Sequence, residues 1–242
     1  MNFRLHSFQL ALLFSALAVV GNVHADWVDT VTRALGISKT PSAMKGPGDD
    51  IRDGDIEVVV LDGFGRKTLT TGGSYRSPVF VAGDVALLAL EGEQLVRVPF
   101  DGGVPMWVHA VPDAVKLLGV DRSDADRVLL LIAASDGSSE FAALSLKTGK
   151  LTRLPHVRTN KDQRRLLSHL RGEDREYEGL LLEVRTQSKP GLGGRLEWED
   201  VFVKRGNDPS VNLSRCDGTD CRQPTLSHDG RRVTFIRAEK RR

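Results

Sequence analysis

The sequence predicts an all-β fold, a small β-propeller of about four blades whose last blade is closed by an N-terminal hairpin, with a short N-terminal helix ahead of it. Three observations predict it. From Asp55 onward, short runs rich in Val, Ile and Leu recur at similar intervals. Turn pairs such as Asp62-Gly63, Gly83-Asp84 and Asp229-Gly230 separate them, and that punctuation at repeated spacing is an all-β signature. The strand count also leaves half a blade at each end, so the two ends can complete each other.

The elements follow in order. One positive residue, Arg4, precedes an apolar run from Leu10 to Val20 and the small-residue ending Val23-His24-Ala25, the tripartite pattern of a secretory signal peptide cleaved after Ala25. The run is shorter than the roughly 20 apolar residues a membrane span needs. Residues 1–25 are therefore expected to direct export to the periplasm and to leave no transmembrane anchor. Residues 26–54 read as a short amphipathic helix and linker. Trp27, Val28, Val31 and Leu35 fall near one helix face before Gly36, and the Pro, Gly and charge that follow end the periodicity. These four apolar side chains either pack on the chain's own domain, since a helix this short is marginal alone, or are candidates for contact with a partner.

The propeller domain is assigned to residues 55–242. Ile56–Leu61 and Lys67–Thr70 form a hairpin about the Asp62–Gly65 turn. Val79–Val81, Val85–Leu90, Leu95–Pro99 and Met106–Val108 supply one blade; Lys116–Val120, Val128–Ala133, Glu140–Leu146 and Leu151–Leu154 supply a second. The third uses Leu180–Thr186, Glu197–Lys204 and Val211–Leu213, after a helical segment from Lys161 to Leu170 that sets Leu166, Leu167 and Leu170 on one face. Gly191–Gly194 is expected to be a flexible connection. Pro224–Leu226 and Val233–Arg237 make only half a blade. An edge left there would expose unpaired backbone groups, so the Ile56–Thr70 hairpin is expected to add to it as the outer strands. The alternatives are an open arc, or two chains completing one larger ring as a homodimer that exposed repeat ends would favour.

Gln223-Pro-Thr-Leu-Ser-His-Asp-Gly-Arg-Arg-Val-Thr-Phe-Ile-Arg237 resembles the TolB-type propeller repeat, whose usual form is Pro-x-Trp-Ser-Pro-Asp-Gly-Lys-x-Ile-x-Phe. Asp55–Gly63 with Lys67-Thr-Leu-Thr70 is similar to the strand, Asp-Gly turn and Leu-Thr ending that accompany it, and Ser77–Asp84 is a degenerate copy. Leu226 stands where the repeat has Trp and His228 where it has Pro. The resemblance implies a periplasmic propeller that contacts other envelope proteins, and it carries over no catalytic residue.

Charge and cysteine usage narrow the function classes. Lys+Arg number 34 against Asp+Glu 32, a formal net charge of +2 with the signs interspersed, which argues against nucleic acid as a partner. Cys216 and Cys221 lie close together in a chain addressed to an oxidising compartment, so a local disulfide is expected. Two thiols are too few for a structural zinc site.

Catalytic patterns are missing from the sequence. Gly72-Gly-Ser-Tyr-Arg76 lacks the last glycine of a nucleophile elbow, and Gly191–Gly194 lacks the Lys and Ser/Thr of a phosphate loop. His109, His156, His169 and His228 have no close metal spacing and read as loop or surface residues. Asp121, Asp124 and Asp126, or Asp217 and Asp220, offer oxygens to a cation but match no calcium loop; turn chemistry already accounts for them. Trp107 and Trp198 fall on strands and are expected in the core or between blades. The reading is a non-enzymatic scaffold or adaptor without cofactor, bound to an envelope protein. A metal-dependent hydrolase or lactonase-type propeller is the alternative, and a carbohydrate or peptidoglycan-fragment binding module the third.

Overall fold

The computed structural model describes residues 53–238 apart from 64, 156–159, 173–175 and 193. The expected leader and the Trp27, Val28, Val31 and Leu35 helix lie outside the described residues, as does His156.

Among the described residues seventeen strands form four antiparallel sheets. In the first, β3 (Tyr75–Phe80), β4 (Ala86–Glu91), β5 (Gln94–Pro99) and β6 (Met106–Ala110) run in sequence order. The second follows the same rule with β7 (Ala114–Asp121), β8 (Arg127–Ala133), β9 (Ser139–Ser145) and β10 (Leu151–Arg153), then gains β11 (Leu170–Gly172) beside β7. The third is β12 (Glu176–Tyr177), β13 (Leu180–Gly191), β14 (Gly194–Arg205) and β15 (Val211–Asn212). The fourth has the order β16 (Asp220–Leu226), β17 (Arg232–Ala238), β1 (Asp55–Val60), β2 (Arg66–Thr68).

The fourth sheet is the expected closure. β1 pairs with β17 from Asp55↔Arg237 to Val60↔Arg232 and carries β2 on its other edge. Chain ends far apart in sequence thus satisfy each other's main-chain groups, which neither hairpin could do alone. Gly54 makes the approach possible: a Cβ there would stand 2.3 Å from the Arg237 carbonyl oxygen.

Apolar burial joins the sheets in the order second, first, fourth, third. Val79, Leu88 and Leu95 pack with Leu117, Leu130 and Ile132 between the first and second sheets. Ile56, Val58 and Ile236 pack with Phe80, Leu87 and Val98 between the fourth and first. Leu180, Leu182 and Val201 pack with Leu226, Val233 and Phe235 between the third and fourth. The remaining face of the second sheet, with Leu118, Leu129 and Leu131, is covered by Leu154, Leu170 and Leu166 of α1 (Asn160–Leu167). A helical insertion therefore occupies the face where the next blade of a ring would pack. The architecture is a small, propeller-like set of four sheets.

Polar contacts pin the inner strands together. Ser77 and Gln223, both at positive φ in bulges of β3 and β16, meet where Ser77 N–H donates to Gln223 Oε1 at 2.6 Å. Thr225 Oγ1 donates to the Pro78 carbonyl. Asp84, buried, accepts from the N–H groups of His228 and Asp229 at 3.1 Å each.

Three expectations change, and that for Trp198 holds. Leu170 belongs to β11 rather than to the helix, and Leu167 is exposed, because the helix ends one turn before the chain re-enters the second sheet. Gly191–Gly194 is no loose connection: β13 and β14 run in register to Gly191↔Gly194, so the glycines close a long hairpin. Trp107 is 62% exposed, because it lies on β6, the outer edge of its sheet. Trp198 is half-buried and packs at the edge of the core between the third and fourth sheets.

Candidate interaction surface

A braced hairpin arm dominates the third sheet. β13 and β14 are twelve residues each, whereas β12 pairs only with Leu180 and Leu181, and β15 only with Phe202 and Val203. The rest of the hairpin runs beyond its flanking strands and turns at Leu192, which is fully exposed. An isolated two-stranded hairpin is marginal in water, so this one needs a brace.

The disulfide loop supplies it. Cys216 and Cys221 form the expected bond, with Cα atoms 6.1 Å apart, and both are buried. Beneath them Asp200, 2% exposed, accepts hydrogen bonds from Cys216 N–H (2.7 Å), Ser214 Oγ (2.8 Å), Asn212 Nδ2 (2.9 Å) and Trp198 Nε1 (3.0 Å). Burial pushes its carboxyl up, but the four donors, led by the Cys216 N–H, outweigh burial and hold it below the ordinary 3.8. Farther out, Glu199 N–H donates to Asp220 and the Arg222 guanidinium pairs with Glu199 at 2.7 Å. Lys189 reaches Asp217 at 3.1 Å and sits 5.4 Å from the centre of the Trp198 ring. Apart from Lys189, which is on β13, the arm residues in these contacts lie on β14.

A second feature is a set of exposed apolar side chains at the start of β6. Val104, Met106 and Trp107 are all exposed, and Trp107 stands edge-on to His109, ring centres 6.5 Å apart. His109 is not the surface residue expected: its Nε2 lies 2.5 Å from the Leu146 carbonyl, tying β6 to the second sheet. His228 lies in the β16–β17 turn but is largely buried, with Nδ1 2.7 Å from Asp84 Oδ1, close enough for an ion pair though not aligned for a hydrogen bond. His169 is exposed as expected.

The acidic loops do turn chemistry. Asp121 accepts from Ser123 N–H and Oγ, Asp124 from Asp126 N–H, and Asp126 from Lys147 N–H and Ser145 Oγ. Asp217 and Asp220 serve the arm. Among the described residues no three His, Cys, Asp or Glu side chains gather as a metal site, and no helix is long and apolar enough to cross a membrane. What sequence reasoning missed is the Asp200 network. Its donors are Trp198 beside it on β14 and the Asn212–Cys216 segment a dozen or more residues on, so no local spacing announces it.

Three solved structures resemble the chain. A TolB from Agrobacterium tumefaciens is 14% identical over 77% of this chain and 62% of its own, with a TM-score of 0.36. A TolB from Acinetobacter baumannii is 15% identical over 77% and 47%, TM-score 0.34. An oligogalacturonate lyase in complex with manganese is 15% identical over 71% and 61%, TM-score 0.34. The chain spans less than two thirds of each. No protein-family model and no curated protein matches the sequence. These likenesses are distant, and the propeller-like architecture rests on the chain's own sheet order and register.

Proposed function

We propose that the chain is an exported protein-binding scaffold of the bacterial cell envelope, working in the periplasm by contact rather than by catalysis. The observation that carries this reading is the exposure of Trp107 and Met106 on the edge strand β6, with Val104 exposed just ahead of it. Aromatic and Met side chains are enriched in protein interfaces, and a solvent-facing Trp on an ordered strand is an anchor that needs little ordering to bind. Export is supported by the leader pattern at residues 1–25 and by a disulfide, a bond that persists in oxidising compartments. The Trp27, Val28, Val31 and Leu35 face adds a second candidate contact.

The test is capture of partners from detergent-solubilised envelope by the chain from Asp26 to Arg242, beside one starting at Asp49 and a Trp107→Ala variant. A specific partner held by the first and lost with Trp107→Ala supports the β6 contact; loss with the Asp49 start assigns the contact to the Trp27 helix. A partner that survives both changes sinks this site assignment. Should no partner be captured, and should the chain show divalent-ion-dependent hydrolysis, the metal-dependent enzyme reading replaces the scaffold.

A further inference from the structure

The even mix of charge signs gives way in one stretch. Residues 147–171 hold eight Lys and Arg side chains and a single acidic one, Asp162, so the rest of a chain whose formal net charge is only +2 is net acidic. The fold places this stretch on the outer flank of the second sheet. β10 is the outer edge strand there, and Leu166 of α1 packs with Phe141 of β9 and with Leu154, just past β10, over the sheet's remaining face. With Leu166 turned inward, Lys161, Arg165 and Leu167 are exposed, and His169 is exposed just beyond the helix. Among the described residues neither Lys161 nor Arg165 has a carboxylate partner. Glu140 is taken by Arg153 at 2.6 Å, and Asp121 is buried and held by Ser123. Like charges four residues apart weaken a helix in water, and a negative surface facing them turns that cost into a gain.

We infer that α1 docks on an anionic phospholipid bilayer, with Lys161 and Arg165 at the headgroup phosphates and Leu167 between them and the acyl boundary. Charge and main-chain chemistry both select this occupant. A Lys or Arg near an anionic bilayer raises affinity about fivefold, so two alone bind weakly and the rest of the basic stretch has to add to them. The net acidic remainder of the chain is repelled by the same surface, which turns this flank toward it. A helix bonds its own main chain and can settle among headgroups without stranding N–H and C=O groups. The other exposed apolar set, on β6, lies on an edge strand whose outward main-chain groups a bilayer would leave unpaired. The exposed Leu167 beside the two cations completes the pattern of a basic face with an apolar residue at its rim, as in helices that lie in the membrane interface. The bilayer contact rests on different residues from the β6 contact, so either stands without the other.

Co-sedimentation of the chain from Asp26 to Arg242 with lipid vesicles tests this. Vesicles of phosphatidylglycerol and phosphatidylcholine in equal parts are expected to carry the chain down, and vesicles of phosphatidylcholine alone are not. Raising the salt from about 0.05 M to about 0.5 M should release it. Lys161→Gln combined with Arg165→Gln is expected to weaken binding about thirtyfold at an unchanged thermal midpoint, since Gln is as good a helix former as either, whereas Trp107→Ala leaves vesicle binding as it was. Binding that survives the double substitution belongs to another segment, such as the Trp27 helix or the Lys240-Arg241-Arg242 end, and overturns the inference. So does binding that ignores lipid charge, or no binding to either vesicle. A chain that binds no vesicle but loses a captured envelope protein on the double substitution makes α1 a protein contact, which overturns the bilayer and leaves the scaffold reading standing.

Discussion

Gly230 is fixed by a neighbour from another sheet. It closes the Asp229-Gly230 turn at a φ of 67°, where an L side chain costs about 1–2 kcal/mol, and a Cβ there would stand 2.6 Å from the Tyr177 ring of β12. Gly230→Ala is therefore expected to destabilise the chain by about 2 kcal/mol, read as a lower urea midpoint at unchanged slope. Asp200 makes a different kind of prediction. Its folded carboxyl is held below its ordinary value by donors that outweigh burial, so the charged form is worth more in the folded state than in the unfolded one. That stability is present above about pH 4 and is lost as pH falls through the lowered folded value. Asp200→Ala leaves the Cys216 N–H and Ser214 hydroxyl without their acceptor and is expected to cost about 3 kcal/mol. Urea midpoints measured from pH 7 down to pH 2 should fall less steeply for the variant than for the wild type.

At the scale of elements, the arm and the disulfide loop depend on each other. The loop closes over a sequence separation of 5, so the bond's direct contribution is at the low end, about 2 kcal/mol. Its larger consequence is local. Cys216 N–H anchors Asp200, Asp217 holds Lys189, and Asp220 holds the Glu199 N–H. Replacing both cysteines by serine is expected to lower stability by about 2 kcal/mol and to speed amide exchange from Leu196 to Val201 more than in β4 or β8. Equal acceleration in all three would mean that the loop stabilises only globally. The edge strand β6 makes the complementary case. Trp107 bears on no core, so Trp107→Ala should leave the thermal midpoint within about 1 kcal/mol of wild type while reducing partner capture.

At the scale of the whole molecule, closure by β1 and β2 is a condition of folding rather than an ornament. Glu57, buried on β1, pairs with Arg66 of β2 and with Arg237 of β17 at 3.3 Å, and Arg66 also donates to the Ser214 carbonyl. The hairpin thus links the fourth sheet to the disulfide loop as well as completing its ladder. A chain starting at Asp49 is expected to keep the wild-type thermal midpoint. One starting at Thr71 loses Ile56, Val58 and Leu69 from the core between the fourth and first sheets and is expected to show no cooperative unfolding by circular dichroism. A cooperative transition in the shorter chain would show that closure is dispensable.

The sequence by itself determined what depends on near neighbours: strands with alternating or continuous apolar runs, the Asp-Gly turns, the Cys216–Cys221 bond, and the two half-blades whose unpaired edges had to meet. Val58 and Val233 declare their strands through local pattern, and a half-sheet with open backbone has few partners to choose from. Only the tertiary structure decided what depends on where those strands sit. Trp107 has the composition of a core residue and the address of an outer edge. Leu170 continues a helical pattern but is captured by β7, whose inner edge is otherwise unpaired. His228 occupies a turn, yet the adjoining sheet buries it against Asp84. The length of the β13–β14 arm was hidden by its polar residues from Gln187 to Arg195, which read as a loop because their support comes from the disulfide loop over twenty residues away in sequence. Local chemistry sets an element's type; burial and pairing, which set its extent and role, are long-range quantities.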